Sequence, residues 1–342
     1  MNNPHLKVLI GLILGLTTVA VFLCGCSKDL FYIPGSIEEE MQKAVEGKFD
    51  GMIVYVNQSG KSSFYSAGFN NREKQIPADP HDLFKIGSIS KLYIAAACTK
   101  LIASGALDLE QKLIDLIPEV VTHIEYAEQI TLRMMISHRS GIPEYIYEPE
   151  FKEGTTESYL TTAKLIYDKA ADFKPNKKYA YSNTNYLLLG EILDRTLGYS
   201  HHQFIQNEIL IPLDLDDTYS LYSEVDSNQV MSGYLKGWEP DLKSWDHTRP
   251  GGSMIATAED VGTFLRALID GSLFSDEEQA IYSSVYEYEH TGWLPGYTSI
   301  ARYHSDIDTI VIQFVNTSDK EWFWLELECV YSRILKSIEK GL

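Results

Sequence analysis

The chain has 342 residues, of which 44% are hydrophobic and 23% are charged, and its formal net charge is −19. This length suits one large domain or two small ones, because domains usually contain roughly 100–200 residues, and the composition is that of a globular protein. The acidic balance argues against a nucleic acid partner and against attraction to an anionic membrane surface by charge.

The first 25 residues have the pattern of a targeting segment. An uncharged, mostly apolar run from Val8 to Leu23 is shorter than the about 20 residues of a membrane span and fits a signal peptide. It ends in LCGCS, which resembles the processing box of a bacterial lipoprotein. We therefore expect cleavage after residue 25, a lipid on Cys26 and a tether over 26–35, which would anchor the protein to a bacterial membrane in the cell envelope, facing the periplasm or exterior. A secretory signal or an uncleaved anchor that ends in cysteines is the alternative.

Hydrophobic periodicity predicts strands towards both ends of the remaining chain and helices between them. The predicted strands are 52–57, 63–68, 285–293, 297–303 and 309–316, and the predicted helices are 37–45, 89–102, 131–137, 186–196, 257–269 and about 321–338. Short links between strands imply an antiparallel sheet of five or more strands, with terminal helices over one face and a mostly helical insert against the other. The expected fold is α+β: one domain over 36–342, with a sheet part of about 36–85 and 271–342 and a helical part of about 86–270.

The cysteines and histidines do not indicate a metal site. Cys98 and Cys329 lie in separate apolar helical patterns, and we expect two buried thiols rather than a disulfide. No cysteine or histidine spacing is typical of zinc, and the adjacent His201 and His202 would diverge on a helix, so we expect them at the surface. We expect no metal and no cofactor.

Ser88 and Lys91 interrupt an apolar helical pattern in the segment FKIGSISKLYIAAACTK. Residues three apart share a helix face, so the Lys91 amine could reach Ser88 Oγ. A serine hydroxyl is a weak nucleophile that needs a base and donors for the oxyanion, and the free N–H groups of a helix start point at such a charge. Alone, this spacing is also expected by chance in a chain of this size.

Tyr181-Ser182-Asn183 lies just before a predicted helix. A tyrosine beside an ammonium favours its phenolate and could relay a proton to and from the serine. Asn183 could hold a substrate amide, because its side chain both donates and accepts. The alternative is a turn in which Asn183 caps the helix, which is compatible with the first role.

His290-Thr291-Gly292 lies on a predicted strand that runs into a hairpin. A glycine there lets a substrate backbone approach closely, and the next residue, Trp293, would offer its backbone N–H as an oxyanion donor beside that of Ser88. A single histidine on a strand is most often a surface or hydrogen-bonded residue, so this motif gains weight only with the other two.

In this order, the three motifs resemble those of the penicillin-recognising serine hydrolases, and most closely the branch of class C β-lactamases, D-alanyl-D-alanine carboxypeptidases and related esterases. That family places Ser-x-x-Lys, Tyr-x-Asn and Lys/His-x-Gly around one cleft between an α/β sheet and a helical domain. Further matching segments extend from about residue 37 to the C-terminus: ITLRMMISHRSGIPEY, YSNTNYLLLGEIL, IPLDLDDTY, GGSMIATAEDVGTFLRAL and LPGYTS.

The resemblance implies roles for the motif residues. Ser88 would be the acylated nucleophile, Lys91 its partner and Tyr181 the general acid/base, with the N–H groups of Ser88 and Trp293 as the oxyanion hole. The residues that would contact the substrate are Asn183, His290, Thr291, Gly292 and Trp293.

The sequence departs from the family pattern around the third motif. His290 stands where class C β-lactamases usually have lysine, and since a histidine is only partly charged at pH 7, attraction of a substrate carboxylate would be weaker or pH-dependent. The preceding stretch SDEEQAIYSSVYEYE lacks the arginine of some DD-peptidases. Trp293 is bulky at a position that is often small in the family, and no deacylating glutamate like that of class A β-lactamases is identified.

The leading expectation is an exported serine hydrolase that forms an acyl-enzyme on Ser88 from D-alanyl peptides of the cell wall. The same residues would serve a β-lactamase or an esterase, although the missing lysine of the third motif counts against an efficient β-lactamase. A non-catalytic binding or sensor module with this fold is a third alternative, which the three intact motifs disfavour.

Overall fold

The computed structural model describes residues 35–151, 158–319 and 323–341. The expected signal segment 1–25, the lipidation site Cys26 and nearly all of the tether 26–35 lie outside the described residues. Among the helices that are described, none is both long enough and apolar enough to span a bilayer.

The described residues contain α-helices throughout and strands mainly near both ends. The α-helices are α1 (Ile37–Gly47), α2 (Ser90–Ala103), α3 (Leu113–Leu116), α4 (Leu132–Ile136), α5 (Tyr159–Ala163), α6 (Asn183–Leu197), α7 (His201–Ile205), α8 (Ala258–Asp270), α9 (Asp276–Ser283) and α10 (Phe323–Lys340). The strands are β1 (Gly51–Gln58), β2 (Lys61–Asn71), β3 (Ile76–Pro77), β4 (Phe84–Lys85), β5 (Thr218–Tyr219), β6 (Tyr234–Leu235), β7 (Ile255–Ala256), β8 (His290–Leu294), β9 (Tyr297–His304), β10 (Thr309–Val315) and β11 (Thr317–Ser318).

A six-stranded antiparallel sheet with the order β3-β2-β1-β10-β9-β8 organises the described part of the chain. An early and a late strand of the chain pair at the centre of this sheet, where β1 lies beside β10 and Val54 lies opposite Gln313. Because side chains alternate along a strand, Val54 contributes to one apolar layer and its neighbours Ile53 and Tyr55 to the other. The expected α+β fold with a large antiparallel sheet is confirmed.

The terminal helices α1 and α10 cover one face of the sheet, as the sequence predicted. Met41 of α1 and Leu327 of α10 pack with Val54 in one apolar cluster. Arg302 of β9 donates two hydrogen bonds of 2.7 Å to the carboxylate of Glu328. This bidentate pair fixes α10 on the sheet in a defined orientation.

The opposite face carries α8, with α2 behind it, and this packing positions the candidate nucleophile. The rings of Tyr93 in α2 and Phe264 in α8 stack with centroids 3.7 Å apart. Gly262 lets α8 approach β1 closely, since a Cβ there would lie 2.2 Å from the ring of Tyr55. Helix α8, which we assigned to the helical part from the sequence, therefore packs on the sheet, and α2 lies buried behind it.

Helix ends follow the capping signals in the sequence. The hydroxyl of Thr257 accepts a hydrogen bond of 3.2 Å from the backbone N–H of Asp260 at the start of α8. Gly271 ends this helix with a φ of 79°, a left-handed conformation that glycine adopts at low cost.

The predicted strand 285–293 is wrong in its first half. Strand β8 begins only at His290, because the residues after α9 continue as turns, with the Tyr286 N–H donating to Tyr282 O at 2.9 Å. Val285 is buried there. Its apolar character therefore reflects a packed turn rather than a strand.

Two further expectations can be compared with the structure. Cys98 and Cys329 form no disulfide, as predicted, and Cys98 is buried, but Cys329 is only half-buried. His201 is fully buried rather than at the surface, because its Nδ1 pairs with Asp194 Oδ1 at 2.7 Å and anchors α7 to α6.

Candidate active site

Ser88 lies in a 3₁₀ turn, Gly87–Ile89, that leads directly into α2. The Ser90 hydroxyl donates to Gly87 O at 2.6 Å and accepts from the Met254 N–H at 3.2 Å, which fastens the turn to the segment before β7. Ser88 is half-buried, whereas the following helix is almost entirely enclosed. The packing thus holds the Ser88 hydroxyl at the start of a buried helix.

Lys91 is the buried amine beside this hydroxyl. Its Nζ donates to Ser88 Oγ at 3.0 Å, to Asn183 Oδ1 at 2.8 Å and to Gly251 O at 2.7 Å. Burial lowers the pKa of Lys91 to about 7, while the carboxylate of Glu144 acts in the opposite direction. Near neutral pH the amine is therefore present in both forms, and its neutral form can accept the Ser88 proton.

The Tyr181 hydroxyl donates to Ser88 Oγ at 2.7 Å. Burial raises the pKa of Tyr181 well above its ordinary value, although the hydrogen bond with Ser88 opposes the shift. The expectation that a nearby ammonium favours the phenolate is therefore wrong for this resting site, since burial outweighs it. Tyr181 is a phenol here and can donate a proton.

The loop after α4 clamps the second motif in place. His138 Nδ1 accepts a hydrogen bond of 3.2 Å from the Ser182 N–H, and the His138 ring lies 4.5 Å from that of Tyr181 between centroids. The Thr184 hydroxyl donates to Pro143 O at 2.6 Å. These contacts help to set the position of Tyr181, whose ring also lies 6.1 Å from that of His290 on β8.

Asn183 is the first residue of α6, and Ser182 is the capping residue, so the alternative in which Asn183 caps the helix is wrong. Its side chain instead bridges Lys91 and Glu144. Glu144 Oε2 accepts from the Asn183 backbone N–H at 2.6 Å and from Nδ2 at 2.9 Å. Burial raises the pKa of Glu144, while the donors from Asn183 and the charge of Lys91 oppose this.

Sequence reasoning did not single out Glu144. It belongs to the segment SGIPEY, where a charged residue after proline has the same appearance as an exposed loop residue. The only sequence signal was its place in a segment that matched the family. Its partner Asn183 is 39 positions further on, so their contact could not be read from the spacing.

His290 of the third motif is neutral. Its Nδ1 lies 2.5 Å from Thr291 O, and since a carbonyl oxygen only accepts, Nδ1 carries the ring proton and Nε2 the lone pair. Burial, together with the charge of Lys91, lowers the pKa of His290 to about 3. The third motif therefore supplies no cation at neutral pH.

Gly292 brings β8 against the turn that carries Ser88. A Cβ on Gly292 would lie 2.1 Å from Ile86 O and 2.2 Å from Ser299 Oγ, so only glycine fits. The backbone nitrogen of Trp293 lies 3.0 Å from the position that a Cβ on Gly87 would take. The Trp293 side chain is 40% exposed.

The structure thus gathers all three sequence motifs around one hydroxyl. Lys91 and Tyr181 contact Ser88 directly, Asn183 contacts Lys91, and the segment from His290 to Trp293 lies alongside. No group of three or more histidine, cysteine, aspartate or glutamate side chains suited to a metal ion is found among the described residues.

Comparison with known proteins places the chain among relatives of one family. The family model described as Beta-lactamase matches residues 36–287. Protein flp of Staphylococcus aureus (strain COL) is 26% identical over 238 residues, which are 67% of this chain and 47% of that protein. Penicillin-binding protein 4* of Bacillus subtilis (strain 168) is 25% identical over 209 residues, which are 59% of this chain and 45% of that protein. The chain spans about half the length of these relatives.

Solved structures with the same fold include a D-amino acid amidase and the hydrolase EstCE1. The amidase, from Ochrobactrum anthropi SV3 in complex with L-phenylalanine amide, superposes with a TM-score of 0.79 at 20% identity, covering 89% of this chain and 98% of that chain. EstCE1, a hydrolase with promiscuous acyltransferase activity, has a TM-score of 0.71 at 17% identity and covers 87% of this chain and 97% of its own. At these identities the likeness concerns the fold.

Proposed function

The chain belongs to the beta-lactamase family of serine hydrolases, and on this premise we propose that it cleaves an amide or ester bond through an acyl-enzyme on Ser88. One observation carries the proposal: Ser88 Oγ lies 3.0 Å from the Lys91 amine and 2.7 Å from the Tyr181 hydroxyl. A nucleophile, a buried amine and a phenol within hydrogen-bond reach are what acyl transfer requires.

The two partners have different tasks in the proposed reaction. Ser88 Oγ attacks the substrate carbonyl carbon and gives its proton to the neutral Lys91 amine, while the N–H groups of Ser88 and Trp293 hold the oxyanion. When the C–N or C–O bond breaks, the Tyr181 hydroxyl protonates the leaving amine or alcohol, and the Lys91 ammonium returns a proton to Tyr181. Water then attacks the ester carbon by the reverse path and releases the acid and free Ser88.

The first substrate class to test is D-alanyl peptides, as the sequence led us to expect. Two findings support amides of D-amino acids: the similarity to a penicillin-binding protein and the fold shared with a D-amino acid amidase. The neutral His290 favours a second candidate, because uncharged esters lose nothing from the missing cation. A β-lactam is the remaining alternative substrate. If no acyl-enzyme forms, the alternative function is that of a binding module without turnover.

The experiment that tests the proposed chemistry is covalent labelling. The full-length chain is incubated with a fluorescent penicillin and a fluorophosphonate probe, as wild type, Ser88→Ala and Ser104→Ala. Ser104 is a matched control because it lies at the other end of α2, where its hydroxyl donates to Leu101 O. We expect at least one probe to label the wild type and Ser104→Ala but not Ser88→Ala. An unlabelled wild type, or a labelled Ser88→Ala, would overturn the proposal. Turnover of a D-Ala-D-Ala peptide, a short-chain ester and a chromogenic lactam then ranks the substrates.

The proposal includes a location at the cell envelope, through a lipid on Cys26. It rests on the apolar run 8–23 and the cysteine box that follows it. Radiolabelled palmitate should be incorporated into the wild type and lost in Cys26→Ser, which should also leave the membrane fraction. Incorporation that persists in Cys26→Ser would contradict the assignment.

A further inference from the structure

One side chain, that of Asn183, links the candidate base Lys91 to the carboxylate of Glu144. Lys91 Nζ donates to Asn183 Oδ1 at 2.8 Å, and Asn183 Nδ2 donates to Glu144 Oε2 at 2.9 Å. An amide oxygen only accepts and an amide nitrogen only donates. The ammonium on one side and the carboxylate on the other therefore hold the Asn183 amide in one orientation.

We infer that Glu144 is a positioning residue of this site, which fixes the Asn183 amide against Lys91 and supplies the negative charge that faces the Lys91 amine. The inference rests on the proposed acyl-enzyme chemistry, in which Lys91 accepts the Ser88 proton. Glu144 touches neither the nucleophile nor its proton, so it acts through Asn183 and through its charge.

The local fold surrounds the Glu144 carboxyl group with N–H donors, which oppose the rise in its pKa that burial causes. Oε2 receives two N–H donors from Asn183, and Oε1 accepts from the Ile146 N–H at 3.2 Å. The surrounding loop is fastened to α6, because the Thr184 hydroxyl donates to Pro143 O and accepts from the Tyr145 N–H. These hydrogen bonds to the carboxylate all come from N–H donors, which stabilise its charged form.

Within the described part of the chain, the phenol and imidazole groups around Lys91 carry no negative charge that could pair with its ammonium. Its Nζ lies 5.0 Å and 5.4 Å from the ring centroids of Tyr181 and Tyr186, whose pKa values are raised by burial. Burial lowers the pKa of both His138 and His290, so these two rings are neutral. On the Gly251 segment, the guanidinium of Arg249 instead lies 4.8 Å from the ring of Phe151 and contacts the Thr162 hydroxyl.

The charge of Glu144 has a defined consequence for Lys91. Burial lowers the pKa of Lys91 to about 7, and Glu144 is the group that raises it. Without this charge the Lys91 amine would bind its proton less tightly, and the neutral base would persist to lower pH. An opposite charge a few ångströms away typically shifts a pKa by about one to three units.

Glu144→Gln tests the charge separately from the position, because a glutamine oxygen can still accept from Asn183. The rate of fluorophosphonate labelling of the full-length chain is measured between about pH 4 and 9. Glu148→Gln is the matched control, since Glu148 lies in the same segment and pairs with Lys169 at 2.7 Å. Glu144→Met is a second neutral variant of similar volume, in case glutamine prevents folding.

We expect the acid limb of the labelling profile to move to lower pH by about one unit or more in Glu144→Gln and Glu144→Met, and to stay in place in Glu148→Gln. If the acid limb of these Glu144 variants stays in place and only the maximal labelling rate falls, the role of Glu144 is purely structural and the inference is overturned. The failure of the proposed function looks different: the wild type is unlabelled, or Ser88→Ala is labelled, whatever Glu144 does.

Discussion

The Tyr181 hydroxyl lies 2.7 Å from Ser88 Oγ, although the two residues are 93 positions apart in the chain. Ser88 lies in the turn that leads into α2 and packs against β8, and Tyr181 lies just before α6. The contact therefore joins the starts of two helices at one hydroxyl. It also pairs the proposed nucleophile with a phenol whose pKa is raised by burial.

Replacing Tyr181 with phenylalanine should slow catalysis with little effect on folding. The substitution removes the proposed proton donor for the leaving group, and we expect kcat to fall by about 10²–10⁴. Tyr179→Phe is the matched control, since Tyr179 is 49% exposed. Steady-state kinetics and thermal unfolding measure the two effects. A loss below about threefold would remove Tyr181 from the mechanism.

Activity should fall as the pH drops through the Lys91 titration. Burial lowers the pKa of Lys91 to about 7, so above pH 7 the amine is neutral and can take the Ser88 proton, and below it the base is lost. We expect kcat/KM to decrease by about tenfold for each pH unit below this midpoint. The profile is measured with an uncharged substrate. Constant kcat/KM down to pH 5 would show that Lys91 is not the base.

Gly292→Ala should disrupt the site by steric displacement. The new Cβ would lie 2.1 Å from Ile86 O, so β8 must move away from the Ser88 turn. A displacement of about 1 Å can cost about 10² in rate, and we expect a loss of this order in kcat/KM.

Gly47→Ala at the end of α1 is the control for Gly292→Ala, because a Cβ there meets no atom within 4 Å. It should leave kcat/KM unchanged. Equal activity of Gly292→Ala and the wild type would show that the close approach of β8 to Ile86 is not needed.

Lys85 should make stability depend on pH. Its buried Nζ donates to Lys243 O and Trp245 O, each at 2.5 Å, and burial lowers its pKa to about 7 while Asp246 and Asp241 oppose the shift. Between pH 7 and about 10 the unfolded chain binds more protons than the native one, so stability rises with pH. Lys85→Met should flatten this slope by up to about 1.4 kcal/mol per pH unit.

Urea unfolding at several pH values between 7 and 10 measures the Lys85 effect. Lys91 adds a slope of the same sign, so part of the dependence should remain in Lys85→Met. Lys236→Met is the control, because Lys236 is on the surface and lies 3.9 Å from Asp319. An unchanged slope in Lys85→Met would contradict the assignment.

The sequence by itself determined the features that arise from short stretches of chain. The apolar runs 52–57 and 309–316 predicted strands, and Thr257 and Gly271 marked the ends of α8, because strand patterns and capping act within a few residues. Each of the three motifs is also contiguous. Their residue types and their order along the chain can therefore be read from the sequence directly.

Only the tertiary structure determined the contacts, the burial and the protonation of these residues. The contact between Glu144 and Asn183 joins segments that are 39 positions apart. The start of β8 at His290 and the burial of His201 became visible only in the folded chain. The same holds for the phenol of Tyr181 and the neutral ring of His290, whose pKa values are set by burial. Protonation follows from the exclusion of water and from neighbouring charges, and both exist only once the chain is folded.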